Sequence, residues 1–389
     1  MTDQQADTQT SSNNKSQQRK KGLSIFILLL LLISIGSAAY WYLFIKGFEE
    51  TEDAYVSGNQ VMVSAQVAGN IAKINVDNMD PVQAGDVLLE LDDTNAKLSF
   101  EQAKSNLANA VRQVSQLNYT VKQLKSAVRA NEITLAQAQG NLNRRVQLVK
   151  DGAIDKESFQ HAKEAVELAK ANLTTSQNQL GANQALLLDG PLSEQPQIQS
   201  AVSNFKQAWL NLERTKIRSP IKGYVARRNA QVGQAVSVGG ALMAVVTTDQ
   251  MWLDANFKET QLTHMRIGQP AEIHFDLYGK DKTFDGKVVG IEMGTGSAFS
   301  LLPAQNATGN WIKVVQRVPV RIQLDPQQLA ENPLRIGLSA TVKVNVSDSK
   351  GETLRNQAPA TTLYSTNVLQ YDESAVNNLI ESIIRDNSY

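Results

Sequence analysis

At 389 residues the chain is long enough for two or three domains. Lys plus Arg (38) balance Asp plus Glu (38), so no global field marks nucleic acid or a broad anionic surface as the main partner. The absence of cysteine excludes disulfides, thiolate metal sites, a cysteine nucleophile and a lipid-modified N-terminal cysteine, and only His161, His264 and His274 remain as imidazoles for catalysis or metal binding.

The first 22 residues are polar and end on Arg19, Lys20 and Lys21; such a tract buries too little apolar surface to order itself and is expected to be a disordered cytoplasmic tail. From Leu23 to Ile45 every residue is apolar, small or aromatic. These 23 residues at about 1.5 Å each reach roughly 34 Å, enough to cross a hydrocarbon core of about 30 Å. Tyr40, Trp41 and Tyr42 sit at one end, where aromatic rings favour the headgroup region, and the basic cluster before the span predicts a cytoplasmic N-terminus. Ser37-Ala38-Ala39 would suit a signal-peptide cut, but the apolar run is long for a signal sequence and continues past that site. The expectation is an uncleaved single-pass anchor with the rest of the chain outside the inner membrane.

A weak internal repeat follows at an offset of 154 residues, relating Val67–Leu91 to Ile221–Val245. Gly69 matches Gly223, Ala72 Ala226, Asn75 Asn229, Val82 Val236, Gly85 Gly239 and Leu88 Leu242. Short apolar alternations punctuated by glycine predict small strands and tight turns, and two such halves can close one flattened β-sandwich, here assigned with a flanking strand to 46–93 and 215–250.

Between the halves, over 94–214, an apolar residue recurs every seven: Phe100, Leu107, Val114, Val121, Val128, Leu135, Leu142 and Val149. Ala103, Ala110, Leu117, Leu124 and Ala138 fall three residues later, an a/d pattern that predicts a left-handed coiled coil. The phase breaks around 150–155, where Gly152 supplies a turn and Asp155 can cap a new helix. Phe159, Val166, Leu173, Leu180 and Leu187 continue the sevens; an interruption at Asp189-Gly190-Pro191 precedes Ile198, Val202, Phe205, Trp209 and Leu212. Arms of over fifty residues predict an antiparallel hairpin about 80 Å long. Asn131 and Arg145 at d positions weaken the seam, which fits local register control or a partner surface near the tip.

From Met251 to about 350 the period becomes two: Ile273, Phe275 and Leu277, then Val318, Val320 and Ile322, then Val342, Val344 and Val346. This predicts a small antiparallel β-barrel or sandwich. Within it, Gly294–Asn310 is a long strandless stretch of the kind that is functional or disordered. The segment 351–389 is polar again, apart from Val376, Leu379, Ile380 and Ile383, whose spacing predicts a short helix over Ala375–Arg385.

Enzyme motifs are lacking. There is no Walker loop, HExxH, nucleophile elbow or EF-hand, and Gly294-Thr295-Gly296 lacks the third glycine and βαβ context of a dinucleotide site. Neither a catalytic residue nor a cofactor or metal site is expected, and energy for transport would come from another subunit.

One N-terminal span, a split β-domain, a long inserted hairpin and a barrel together resemble the HlyD-like membrane fusion proteins. The match narrows to the EmrA-type efflux adaptors at Thr51–Gln60 (TEDAYVSGNQ), Leu212–Pro220 (LERTKIRSP), Asn256–Gln261 (NFKETQ) and Gly294–Pro303 (GTGSAFSLLP). The resemblance implies an elongated mixed α and β chain with a transmembrane helix, a lipoyl-like β-sandwich, a coiled-coil hairpin and a β-barrel. It implies no lipoate or biotin, because the hairpin is inserted where a carrier's modified lysine turn would lie. It further implies an adaptor in the periplasm of a Gram-negative bacterium, present as a homo-oligomer. The partners would be a proton-driven EmrB-type major facilitator transporter in the inner membrane and a TolC-type outer-membrane channel. At the tip, the family's Arg-x3-Leu-x6-Ser pattern falls on Arg144, Leu148 and Asp155, the last replacing the serine. Gly294, Ser297, Phe299, Leu301 and Leu302 become candidates for facing the transporter or the drug. Adaptor of a type I protein-secretion system with an ABC exporter is the alternative. A carrier enzyme and a purely structural envelope protein are more distant readings.

Overall fold

The computed structural model describes residues 13–40, 47–279, 281–296, 298–299, 315–356 and 362–388. Two compact units result: Met1–Val61 with Val246–Ser365, and Met62–Val245 with Thr366–Tyr389. The first unit begins with helix α1 (Asn13–Tyr40), in which Leu23 and the apolar residues of 25–35 are all exposed. Among the described residues no helix is long and apolar enough to cross a membrane; the described side chains of α1 are Leu23 and residues 25–37. Residues 1–12 and 41–46 of the expected tail and span lie outside the described residues.

Most of the other described residues of that unit form a closed antiparallel sheet, with a short helix, α5 (Pro326–Glu331), beside it. Strands β1 (Phe48–Ser64), β8 (Ala241–Lys258), β9 (Pro270–Phe275), β10 (Phe284–Ile291), β11 (Arg317–Leu324) and β12 (Ser339–Asn345) pair in the order β1-β12-β9-β10-β11-β8, and β1 also pairs with β8 to close the barrel. Alternate residues fill it: Leu253, Ala255 and Phe257 of β8, Ile273 and Phe275 of β9, Val320 and Ile322 of β11, Val342 and Val344 of β12. Period-two alternation thus sends one face of each strand inward and the other to water. Leu277 departs from the expected alternation, because β9 ends at Phe275 and leaves it half exposed in the following turn. At Gly286 a Cβ would lie 2.7 Å from both Ile273 Cδ1 and Ile322 Cγ2, so two core side chains close over the bare backbone.

One boundary differs from the sequence reading. Phe48–Tyr55, assigned there to the split β-domain, pairs with β12 from Phe48↔Asn345 to Tyr55↔Ser339, and Ala54 and Val56 are buried in the barrel core. The reason is physical continuity: β1 is one 17-residue strand, and no glycine or proline between Phe48 and Val56 marks where its partner changes.

In the second unit the repeat appears with its register intact. Strands β2 (Gly69–Ile74), β3 (Pro81–Val82) and β4 (Val87–Leu91) recur 154 residues later as β6 (Gly223–Arg228), β7 (Ala235–Val236) and the first part of β8, Ala241–Val245. Strand β3 pairs with β6 and β2 with β7, so each half lends a strand to the other. Hydrogen bonds obey the same two-fold relation: Met79 N–H to Val225 O and Gly233 N–H to Ile71 O are both 2.8 Å. Ile71, Leu88, Val225 and Leu242 share one buried core.

The short strand β5 (Lys216–Arg218) pairs with β4, and between these two strands the chain leaves for the hairpin. Its first arm is α2 (Thr94–Lys150), 57 residues or about 86 Å of unbroken helix. The returning arm is two helices, α3 (Lys156–Gln184) and α4 (Pro196–Glu213). Pro196 opens α4, a position where its missing N–H costs no helical hydrogen bond. In the linker the buried Gln195 side chain bridges a single residue, accepting from Leu188 N–H (3.0 Å) and donating to Leu188 O (2.9 Å).

The segment 351–389, read from sequence as a polar tail, is more than that. Its helix α6 (Ser374–Asn387) buries Val376, Ile380 and Ile383 against Leu107, Val111 and Val114 of α2 and Phe205 and Ala208 of α4. The predicted apolar face was correct, but sequence spacing does not say what a face packs on.

Candidate functional site: the hairpin seam and tip

The seam is built from a and d positions whose burial changes along its length. Near the root Leu107 and Val114 are buried, because α4 and α6 add cover, and Val121 is buried beyond them. Farther out Val128, Leu135, Leu142 and Val149 are only half-buried, since two helices alone cannot enclose a side chain. On α3 the half-buried residues Phe159, Val166, Leu173 and Leu180 keep the sevens. The buried positions are Ala162 and Ala169, small residues that lie three after Phe159 and Val166 and were missing from the sequence reading.

Both polar d residues cross the seam. Asn131 Nδ2 donates to Ser176 Oγ at 2.7 Å, and Arg145 Nη1 donates to Ser158 O at 3.0 Å. A one-heptad slip would break both bonds, so these residues specify register at some cost in apolar contact.

At the tip, Gly152 takes φ +69° and the Ala153 N–H returns to Leu148 O at 2.8 Å, closing α2. Asp155 then caps α3, its Oδ1 accepting from Ser158 N–H at 3.1 Å. Hydrogen bonding from Ser158, side chain and backbone, holds the Asp155 carboxyl below its ordinary value of 3.8. Arg144 is exposed and its guanidinium bonds Asn141 Oδ1 one turn back; Leu148 is exposed nearby. The last two turns of α2 and the cap of α3 therefore present a cation, an apolar side chain and an anionic cap around one bend.

The barrel's candidates are only partly visible. Phe299 is 70% exposed, and its ring lies over Gly294, where a Cβ would come within 2.7 Å of Phe299 Cζ. Ser297, Leu301 and Leu302 lie outside the described residues.

A feature not assembled from sequence is an open polar cleft of about 380 Å³ lined by Glu50, Thr51, Glu52, Asp53, Tyr55, Lys258, Gln261 and Arg317. It joins two of the motif segments. Thr51 Oγ1 donates to Asn256 O (2.9 Å), Asn256 Nδ2 to Asp53 Oδ1 (3.2 Å) and Gln261 Nε2 to Glu50 O (3.0 Å). Arg317 closes the group with an ion pair to Asp53 at 3.2 Å. The polar residues of TEDAYV and NFKETQ thus knit β1 to β8, a joining that neither motif signals on its own. Among the described residues, no group of three or more His, Asp or Glu side chains is arranged to hold a metal ion.

The family described as "EMRA, alpha-helical hairpin domain" matches residues 94–215, and "AAEA-like beta-barrel domain" matches residues 250–345. Multidrug export protein EmrA of Haemophilus influenzae is 78% identical over 357 residues, 92% of this chain and 92% of that protein. This chain belongs to the EmrA-type membrane fusion proteins. Multidrug export protein EmrA of Escherichia coli is 50% identical over 355 residues, 91% of each chain, and the probable multidrug resistance protein EmrK of the same organism is 46% identical over 355 residues, covering 90% of this chain and 92% of that one. In this EmrA-family chain the two matched domains stop before α6, so the helix packed at the hairpin root belongs to neither.

Proposed function

We propose that the chain is the adaptor of a three-part multidrug efflux pump, in which it couples an EmrB-type proton-driven transporter of the inner membrane to a TolC-type outer-membrane channel. The carrying observation is the 78% identity, across 92% of both chains, to a protein named for multidrug export. The physical part the chain supplies is reach: α2 alone spans about 86 Å, and its seam is pinned in register near the far end. Such a rod transmits position; it performs no chemistry, and the energy for transport comes from the transporter. Arg144, Leu148 and Asp155 are our candidates for meeting the channel, and Gly294, Ser297, Phe299, Leu301 and Leu302 for facing the transporter or drug. Several copies side by side would enclose the conduit.

Leu23–Ile45 is our membrane anchor, with the N-terminus cytoplasmic and the bulk of the chain periplasmic. Supporting it are the 23-residue apolar run after Arg19-Lys20-Lys21 and the exposed apolar side chains described on α1. The test is a drug-susceptibility panel on a clean deletion strain with and without the restored chain. Hypersensitivity to hydrophobic drugs or uncouplers, reversed by complementation, is expected. An unchanged profile together with co-purification of an ABC exporter overturns the reading.

A further inference from the structure

Among the described residues the hairpin and its β-domain share no buried apolar cluster. The β-domain cluster runs through Val63, Ile71, Leu88, Ile217, Val225 and Leu242 and contains no residue of α2, α3 or α4. The root cluster of α2, α4 and α6 contains no β-domain residue. The covalent joints are short, Asp92-Asp93 entering α2 and Arg214-Thr215 leaving α4. Two short backbone links with no apolar core shared across them form a joint that can hinge.

One segment touches both sides of that hinge. Thr366 Oγ1 donates to Pro220 O at 2.6 Å, and the Tyr371 hydroxyl donates to Gln66 Oε1 at 3.4 Å, both on the β-domain. The Tyr371 ring also meets Trp209 of α4 edge-on, with centroids 6.2 Å apart. Glu373 then pairs with Lys206 at 2.7 Å, and α6 lays Val376, Ile380 and Ile383 on the root. Arg112 of α2 reaches Asn387 at the helix's far end. The order along the chain is β-domain, then junction, then hairpin.

We propose that Thr366–Ser388 is a strap that fixes the angle of the hairpin on its β-domain. A 14-residue helix is marginal in water by itself, so α6 exists because the root accepts its apolar face. Docking and folding of the strap are then one event, and the hinge is either braced or free. Neither matched family domain includes this segment, and the inference stands whether or not the chain serves an efflux pump.

Because the chain has no cysteine, two introduced ones carry spin labels uniquely. Lys222→Cys lies exposed on the β-domain and Lys125→Cys exposed on α2, about 47 Å along the helix from Thr94. Their distance distribution, measured by double electron–electron resonance in the full chain, is expected to be narrow. Ending the chain at Ser365, and separately Ile380→Glu, should widen it at least about twofold; amide protection at 103–114 and 198–208 should fall about tenfold or more. An unchanged width in both variants overturns the strap. Should the shortened chain fail to fold, Ile380→Glu alone decides, since it leaves the tether and every polar contact in place.

Discussion

Met79→Gly should make the β-domain more stable although it removes a side chain. Met79 stands at φ +74°, in the left-handed region, and is 83% exposed. The residue 154 positions on is Gly233, at φ +83°, with nothing within 4 Å of where a Cβ would sit. The two turns are two-fold equivalents, each donating its N–H across to the other half at 2.8 Å. Left-handed backbone costs an ordinary residue about 1–2 kcal/mol. Glycine surrenders about 0.5–1 kcal/mol through its freer unfolded chain, and little packing is lost at so exposed a site. The balance is a gain of about 0.5–1 kcal/mol, or roughly a two- to fivefold drop in local opening. Native-state hydrogen exchange at the amides of residue 79 and Val225 reads this directly, and the reverse change, Gly233→Met, should cost about 1 kcal/mol. Faster exchange in Met79→Gly, or no cost in Gly233→Met, would refute the strain argument.

Gly286→Ala pushes a methyl into Ile273 and Ile322 and should lower barrel stability by about 1–3 kcal/mol, seen as a reduced denaturation midpoint; an unchanged midpoint would mean those side chains repack freely. Arg144→Asp and Leu148→Asp should each reduce drug efflux at normal protein level, and wild-type resistance in both would remove the tip from channel contact. Because the Asp155 carboxyl is held below 3.8, its cap is fully present above that pH and lost only as pH falls through the lower folded value. Ser158 amide protection should therefore be flat from about pH 5 to 8, whereas Asp155→Ala should speed its exchange across that window; a change with pH in the wild type would contradict the assignment. If Leu23–Ile45 is an anchor, N-terminal sequencing of the membrane fraction should return Met1 or Thr2, and a terminus near Ala39 or Tyr40 would mean cleavage.

What could be read in the sequence was whatever repeats. Sevens from Phe100 to Val149 predicted α2, and six identities at a fixed offset predicted strands that recur at that same offset. The break at Asp189-Gly190-Pro191 was also legible, because glycine and proline act locally. Partner choice was not. Nothing in Phe48–Tyr55 says that it pairs with a strand some three hundred residues away, and the apolar face of α6 carries no address. For the tip, spacing located the bend and its capping Asp155, but the bond from Arg145 to Ser158 needed the arms in register. The polar cleft escaped for a similar reason, since Arg317 and Asp53 meet only once the barrel closes.

The exchange of strands between the two halves sets an order in time. Residues 69–91 cannot complete their sheet until 216–245 arrive, and the whole hairpin is made in between. At about 5–20 residues per second the roughly 120 intervening residues delay the second half by about 6–25 s. During that interval Ile71, Leu88 and Leu89, all buried in the finished protein, have no partner and are open to association with other chains. A hairpin that zips early shortens the remaining search, because its two ends deliver Glu90 and Lys216 side by side. The coiled coil is thus a chaperone in cis for the domain that it interrupts, and weakening its register should show first as aggregation during synthesis.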